Sequence, residues 1–193
     1  MNYLAHLFLA QPTVESRVGN LLGDFARGVV VDQLPDPVKN GLLNHRAVDR
    51  FTDNHAVVKQ LKGLMSAERK RFSGIMLDVV FDHYLIKHWH TFSHNSFADS
   101  SAVYYQSLTQ GQRLMPEQMQ RVTQRVVSQQ WFDSYQTLQG IGFALDRIAG
   151  RIRFDHAFYG SIEELTKHQS QIENGFLAFF PELQQHVSDL RLE

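Results

Sequence analysis

The chain is 193 residues long, 43% hydrophobic and 20% charged, a profile that excludes a disordered chain and is long enough to bury a sizeable core. A formal net charge of −1 gives no reason to expect nucleic acid or an anionic membrane as partner. Ten histidines and no cysteine exclude disulfides and thiolate metal sites, leaving nitrogen and oxygen ligands that suit manganese, iron, magnesium or a sulfur-free zinc site.

The pattern is helix after helix, with no internal repeat, low-complexity segment or linker. A single all-α domain over residues 1–193, a helical bundle, is therefore expected. Asn2 to Ala10 reads as a strand or a short buried helix. Its apolar run lacks a basic flank and reaches only about ten residues, too short for a bilayer span and wrongly flanked for a signal peptide, so a cytoplasmic protein is expected. Val14 to Arg27 reads as a helix that carries Asp24 near its end, and Val29 to Leu34 as a loop. Asp36 as N-cap and Pro37 at the first helical position open a long helix to about Leu64, with a break near Asn54. A second long helix is expected over Ala67 to Thr91, then a polar loop at His94 to Ser101. Helical patterns resume at Ala102 to Thr109, Pro116 to Tyr135 and Leu138 to Arg151. Ser161 and Glu164 have the form of a capping box opening a helix towards Glu173, and Pro181 is expected to open the last helix.

The chemistry concentrates on the two long helices. In LDVVFDHYLIKHWH, Leu77 to His90, Asp78 and Asp82 lie one turn apart on a helix that is apolar nearly all round, with His83 beside them. Buried carboxylates need pairing or a metal. Taken alone, the stretch fits either a cation site or salt bridges with arginines from a neighbouring helix. In HRAVDRFTDNH, His45 and Asp49 share one face, and a His and an Asp one turn apart can both reach a single ion. Local pairs of Arg46 or Arg50 with Asp49 or Asp53 on an exposed face are the plainer alternative. Consecutive helices joined by a short turn pack antiparallel, so the two polar faces can meet, with Asp24 as a third source of ligands. His6, a single histidine in an apolar run, also fits a plain core residue. Arg46, directly after His45, is a candidate phosphate clamp.

NYLAHLFLA, GNLLGDFARG, HRAVDRFTDNH and LDVVFDHYLIKHW together, in their order and spacing, resemble the acyl carrier protein phosphodiesterases, and the likeness extends more loosely through SQQWFDSY to FFPEL. The resemblance implies a metal-dependent hydrolase, typically supported by manganese. Such an enzyme cleaves the phosphodiester between a carrier-protein serine and 4′-phosphopantetheine. It also implies distant kinship with the all-helical HD-type phosphohydrolases, although the dyad here reads Asp82 then His83, in reverse order. Carried over to this chain, the resemblance points to Asp24, His45, Asp49, Asp82 and His83 as metal ligands. Asp24, Asp78 and His6 take catalytic roles, with Arg46 beside them.

An acyl carrier protein is acidic. Between Val38 and Phe72 the chain has eight basic residues against three acidic ones, so a docking surface including Lys62, Arg69, Lys70 and Arg71 is expected. Two other readings remain: an HD-like phosphohydrolase acting on a small nucleotide or phosphate ester, and a non-catalytic helical module whose Asp and His residues form buried ion pairs.

Overall fold

The computed structural model describes residues 1–193, and all of its regular structure is helical. The helices are α1 (Tyr3–Leu9), α2 (Val14–Leu22), α3 (Asp36–Asn54), α4 (Ala56–Gly63), α5 (Ser73–Lys87), α6 (Trp89–Phe92), α7 (Phe97–Gln110), α8 (Glu117–Ser128), α9 (Trp131–Ser134), α10 (Leu138–Ala149), α11 (Ile162–Lys167) and α12 (Gln169–Leu190). None is long and apolar enough to cross a membrane.

α5 is the axis of the bundle. Ten of its fifteen residues are buried, and it packs against α1, α4, α10 and α12. A helix apolar on every side has to be enclosed on every side. Phe81 meets Phe176 and Phe179 of α12, and Phe176 stacks on Phe180 with ring centroids 5.0 Å apart. The buried apolar side chains form one continuous core.

α2 and α3 approach backbone to backbone. A Cβ on Gly19 would lie 2.2 Å from the Val38 carbonyl oxygen, and one on Gly41 would lie 2.5 Å from that of Ser16. Only glycine permits this contact, which brings the end of α2 against the middle of α3.

Several boundaries differ from the sequence pattern. Asn2 to Ala10 folds as a helix rather than a strand. The break after α3 falls at His55, whose backbone turns extended. The segment from Ala67 is not helical from its start: α5 opens only at Ser73, after a 3-10 turn at Lys70–Phe72. The helix expected through Tyr135 breaks at Gln130, which takes a left-handed φ of 46°. Ser161 is buried in helical conformation and makes no cap bond, so the capping-box pattern does not act as one. Pro181 lies inside α12 rather than opening a helix. Flanking aromatic anchors at Phe179 and Phe180 bury this part of α12, and that packing outweighs one lost backbone hydrogen bond.

Candidate metal centre

α1, α3 and the end of α2 converge on one cluster. His6 of α1 and His45 and Asp49 of α3 place one ligand atom each within 4.8 Å of one another. Nε2 of His45 lies 3.0 Å from Asp49 Oδ2, and Nε2 of His6 lies 3.3 Å from Asp49 Oδ1. The two imidazoles stack with centroids 4.0 Å apart. Gly23 makes room for this: a Cβ there would sit 1.9 Å from Cδ2 of His45.

The protonation of each group follows from its surroundings. Nδ1 of His45 is 2.7 Å from the Asn20 carbonyl oxygen, which fixes the proton on Nδ1 and turns the Nε2 lone pair to the cluster. Burial opposes charge on His45, but the hydrogen bond to Asp49 and the charges of Asp49 and Asp24 outweigh it and raise its pKa. His6 is fully buried; its Nδ1 has no polar partner, and its Nε2 has only Asp49 close by, outside hydrogen-bond geometry. Burial pushes its pKa down to about 3, so it is a neutral imidazole with a free lone pair. Burial would raise Asp49, yet the hydrogen bond to His45, the close approach of His6 Nε2 and the nearby α-amino group hold it well below the usual carboxylate range.

Three carboxylates gather here. The α-amino group of Met1 lies 3.1 Å from Asp49 Oδ1 and 3.2 Å from Asp78 Oδ1. Burial works against that ammonium, but the two carboxylates prevail and raise its pKa to about 10. Asp24, just past α2, is exposed and near enough for its charge to act on His45. The protein packed around it raises its pKa, the charges of Asp49 and Asp78 add to this, and His45 opposes it.

These residues fit a divalent cation. An unpartnered, neutral, buried imidazole, a second imidazole in fixed tautomer and an ionised carboxylate form a nitrogen and oxygen donor set suited to such an ion.

Not all the sequence candidates meet here. Asp82 is fully buried, but its two oxygens accept from Asn2 Nδ2 at 2.9 Å, Leu4 N at 3.1 Å and Ala5 N at 3.0 Å. It closes the start of α1 from across the core. Burial raises its pKa and the Leu4 and Ala5 N–H groups oppose the rise. His83 turns to the other side, with Nδ1 2.9 Å from the Tyr135 carbonyl oxygen. Arg46 lines a groove between α3 and α12 with Leu43, Arg50, His186 and Leu190, rather than the cluster. Of the four basic residues expected in a docking surface, three have partners within the chain. Lys62 pairs with Asp53 at 2.8 Å. Arg69 donates to the Ala157 and Tyr159 carbonyls, and Arg71 donates to that of Asp155 while lying between Phe72 and Phe154. Lys70 alone of the four is exposed with neither an ion pair nor a side-chain hydrogen bond.

Beside the cluster is a cleft of about 600 Å³ that the sequence did not reveal, between the start of α1, α5, α9 and α10. Tyr3 and Arg151 stand on its wall. Burial raises the Tyr3 phenol's pKa, with Asp24 adding to the rise and Arg151 opposing it, so both charges reach the tyrosine.

No solved structure matches the chain. The family model described as acyl carrier protein phosphodiesterase matches residues 1–183. Among relatives bearing that same name, the one from Serratia proteamaculans (strain 568) is 34% identical over the whole of both chains. That from Yersinia pestis is 34% identical over 94% of each chain. One from Escherichia coli O6:H1 (strain CFT073) is 32% identical over 97% of this chain and 98% of its own. A full-length match of this kind, with the histidines and carboxylates gathered at one cluster, shows that the chain belongs to the acyl carrier protein phosphodiesterase family.

Proposed function

We propose that the protein hydrolyses the phosphodiester joining 4′-phosphopantetheine to the serine of holo acyl carrier protein, using a divalent ion, most simply Mn2+, held by His6, His45 and Asp49. The observation that carries the metal is His6: a neutral imidazole, fully buried, with Nδ1 unpartnered and Nε2 facing Asp49 at 3.3 Å without a hydrogen bond. The family supplies the substrate.

A bound divalent ion would neutralise charge on the phosphoryl oxygens and lower the pKa of a water. The chain's own groups do the rest. Asn20 holds His45 in the tautomer that presents Nε2. Asp49 joins the two histidines through its two oxygens. Asp24, exposed and with a raised pKa, is placed to take a proton from water and return it to the departing serine oxygen. Asp78 reaches the same space from α5 and adds a negative charge that favours a cation. Lys70 and the exposed Arg46 and Arg50 offer charge for an acidic carrier protein.

The test follows the mass of holo acyl carrier protein incubated with Mn2+-loaded protein and with chelated protein. Loss of the prosthetic group only in the loaded sample supports the reading. Equal activity after complete chelation refutes the metal's part in it.

A further inference from the structure

The cleft beside the cluster has one free charge at one end and an apolar wall. Of its three charged residues, Arg147 lies over Trp131 at 4.8 Å and donates to Gln129, while Asp146 accepts from the Gly160 N–H at 3.0 Å. Arg151 is in no ion pair and its guanidinium makes no hydrogen bond within the chain. It lines the same cleft as Tyr3, whose neighbours in the chain are Asn2 and Leu4 at the start of α1, the helix that carries His6. Val79, one residue after Asp78, begins an apolar wall that continues through Phe143, Ala144 and Ile148. Asn2 and Ser134 supply amide and hydroxyl groups along the same surface.

Resting on the reaction proposed above, we infer that this cleft receives the pantetheine arm of the substrate, with Arg151 contacting its phosphate. The arm is uncharged beyond the phosphate: two amides, a hydroxyl and a dimethyl-substituted carbon, ending in a thiol. Such a chain needs an apolar wall with a few hydrogen-bonding groups and one cation at the phosphate end. A volume of about 600 Å³ lies within the range of small-molecule sites. Arg151 thereby takes the phosphate contact for which the sequence suggested Arg46. The arm's far end would lie between α9 and α10, away from the cluster, so the carrier protein stays outside.

Calorimetric titration of 4′-phosphopantetheine, and of pantetheine lacking the phosphate, into Mn2+-loaded protein tests the assignment. Ala144→Phe fills the cleft and should weaken both ligands by about tenfold or more. Arg151→Met, a surface change that leaves the fold intact, should weaken 4′-phosphopantetheine by about tenfold and pantetheine by less than about twofold. Ala47→Phe, an equal increase in size in the α3–α12 groove, should change neither. Wild-type protein that binds no 4′-phosphopantetheine at millimolar concentration overturns the inference. So does a folded Ala144→Phe or Arg151→Met variant that binds it as wild type does. The two proposals fail separately. A carrier protein left intact by a wild type whose 4′-phosphopantetheine binding is lost in both variants refutes the reaction and keeps the cleft. Prosthetic-group release with binding untouched by either variant refutes the cleft and keeps the reaction.

Discussion

The Asn20 carbonyl oxygen lies 2.7 Å from Nδ1 of His45, so the end of α2 decides which nitrogen of an α3 histidine faces the cluster. This contact exists because Gly19 and Gly41 let the two helices touch, and because Gly23 leaves space for the ring. The geometry of the centre therefore depends on backbone contacts as much as on the ligands themselves.

Gly23→Ala tests that dependence. Its φ of −53° suits alanine, so the backbone itself is not strained by the change. The new Cβ collides with His45 and should push the ring off the cluster. Metal affinity should fall about 10–100-fold, the usual effect of disturbing a ligand's support. Stability of the metal-free protein should fall by about 1–3 kcal/mol through overpacking. Calorimetry with Mn2+ and a denaturant melt measure the two. Unchanged metal affinity would show that His45 is not a ligand.

The pH dependence of metal binding should come from His45. Its raised pKa means that the folded, metal-free protein keeps the proton above the ordinary histidine range, and an ion must displace it. His6, held at about 3, carries no proton to displace at neutral pH. Binding below that raised pKa should therefore release the His45 proton, and affinity should fall as pH drops. Titrations in two buffers of different ionisation heat count that proton. For stability without metal, His6 acts with the opposite sign to His45. Its depressed pKa contributes stability that is full above about pH 6.5 and is lost as pH falls towards 3. His45 contributes stability that is full below about pH 6.5 and is lost as pH rises through its raised pKa. A His6→Gln variant should lose the first part of that profile and keep the second.

Asp82→Ala separates capping from metal ligation. The carboxylate accepts three hydrogen bonds from the start of α1, so its removal leaves buried N–H groups unpaired and should cost about 2–4 kcal/mol. Asp82→Asn, which keeps an acceptor, should recover part of that loss. Metal content of the folded fraction should stay near wild type in both. A stable variant emptied of metal would instead make Asp82 a ligand.

The basic segment from Lys62 to Arg71 divides in the same way. Arg69→Glu and Arg71→Glu should loosen residues 155–159, which the two guanidinium groups hold, and hydrogen exchange there should accelerate. Lys70→Glu should leave exchange unchanged and raise KM for carrier protein, with an effect that fades as salt is added. Equal exchange in all three variants would remove the bracing role.

The helical architecture was legible because apolar periodicity carries it, and α5 announced its burial by being apolar on every side. His45 and Asp49 were legible for a local reason: one-turn spacing puts them on one face. His6 came from the family likeness rather than from its local pattern, because its neighbours read as ordinary core, and its place against Asp49 exists only once α1 lies over α3. Asp82 shows the converse. Helical phase placed it with Asp78, but Asp78 reaches the Met1 amino group, while Asp82 faces the N–H groups of Leu4 and Ala5. Backbone donors on a distant helix leave no mark in a local side-chain pattern. Pro181 misled as a helix start because buried Phe179 and Phe180 before it and Leu183 after it carry α12 through it.

The most direct measurement is mass spectrometry of holo acyl carrier protein after incubation with Mn2+-loaded wild type and with Asp49→Ala. Asp49 joins both histidines, and its loss opens the centre while leaving α3 helical. The wild type should convert the carrier protein to the mass of its apo form and release 4′-phosphopantetheine, and Asp49→Ala should leave it intact. A holo mass unchanged by the wild type, or one removed equally by Asp49→Ala, would contradict the account.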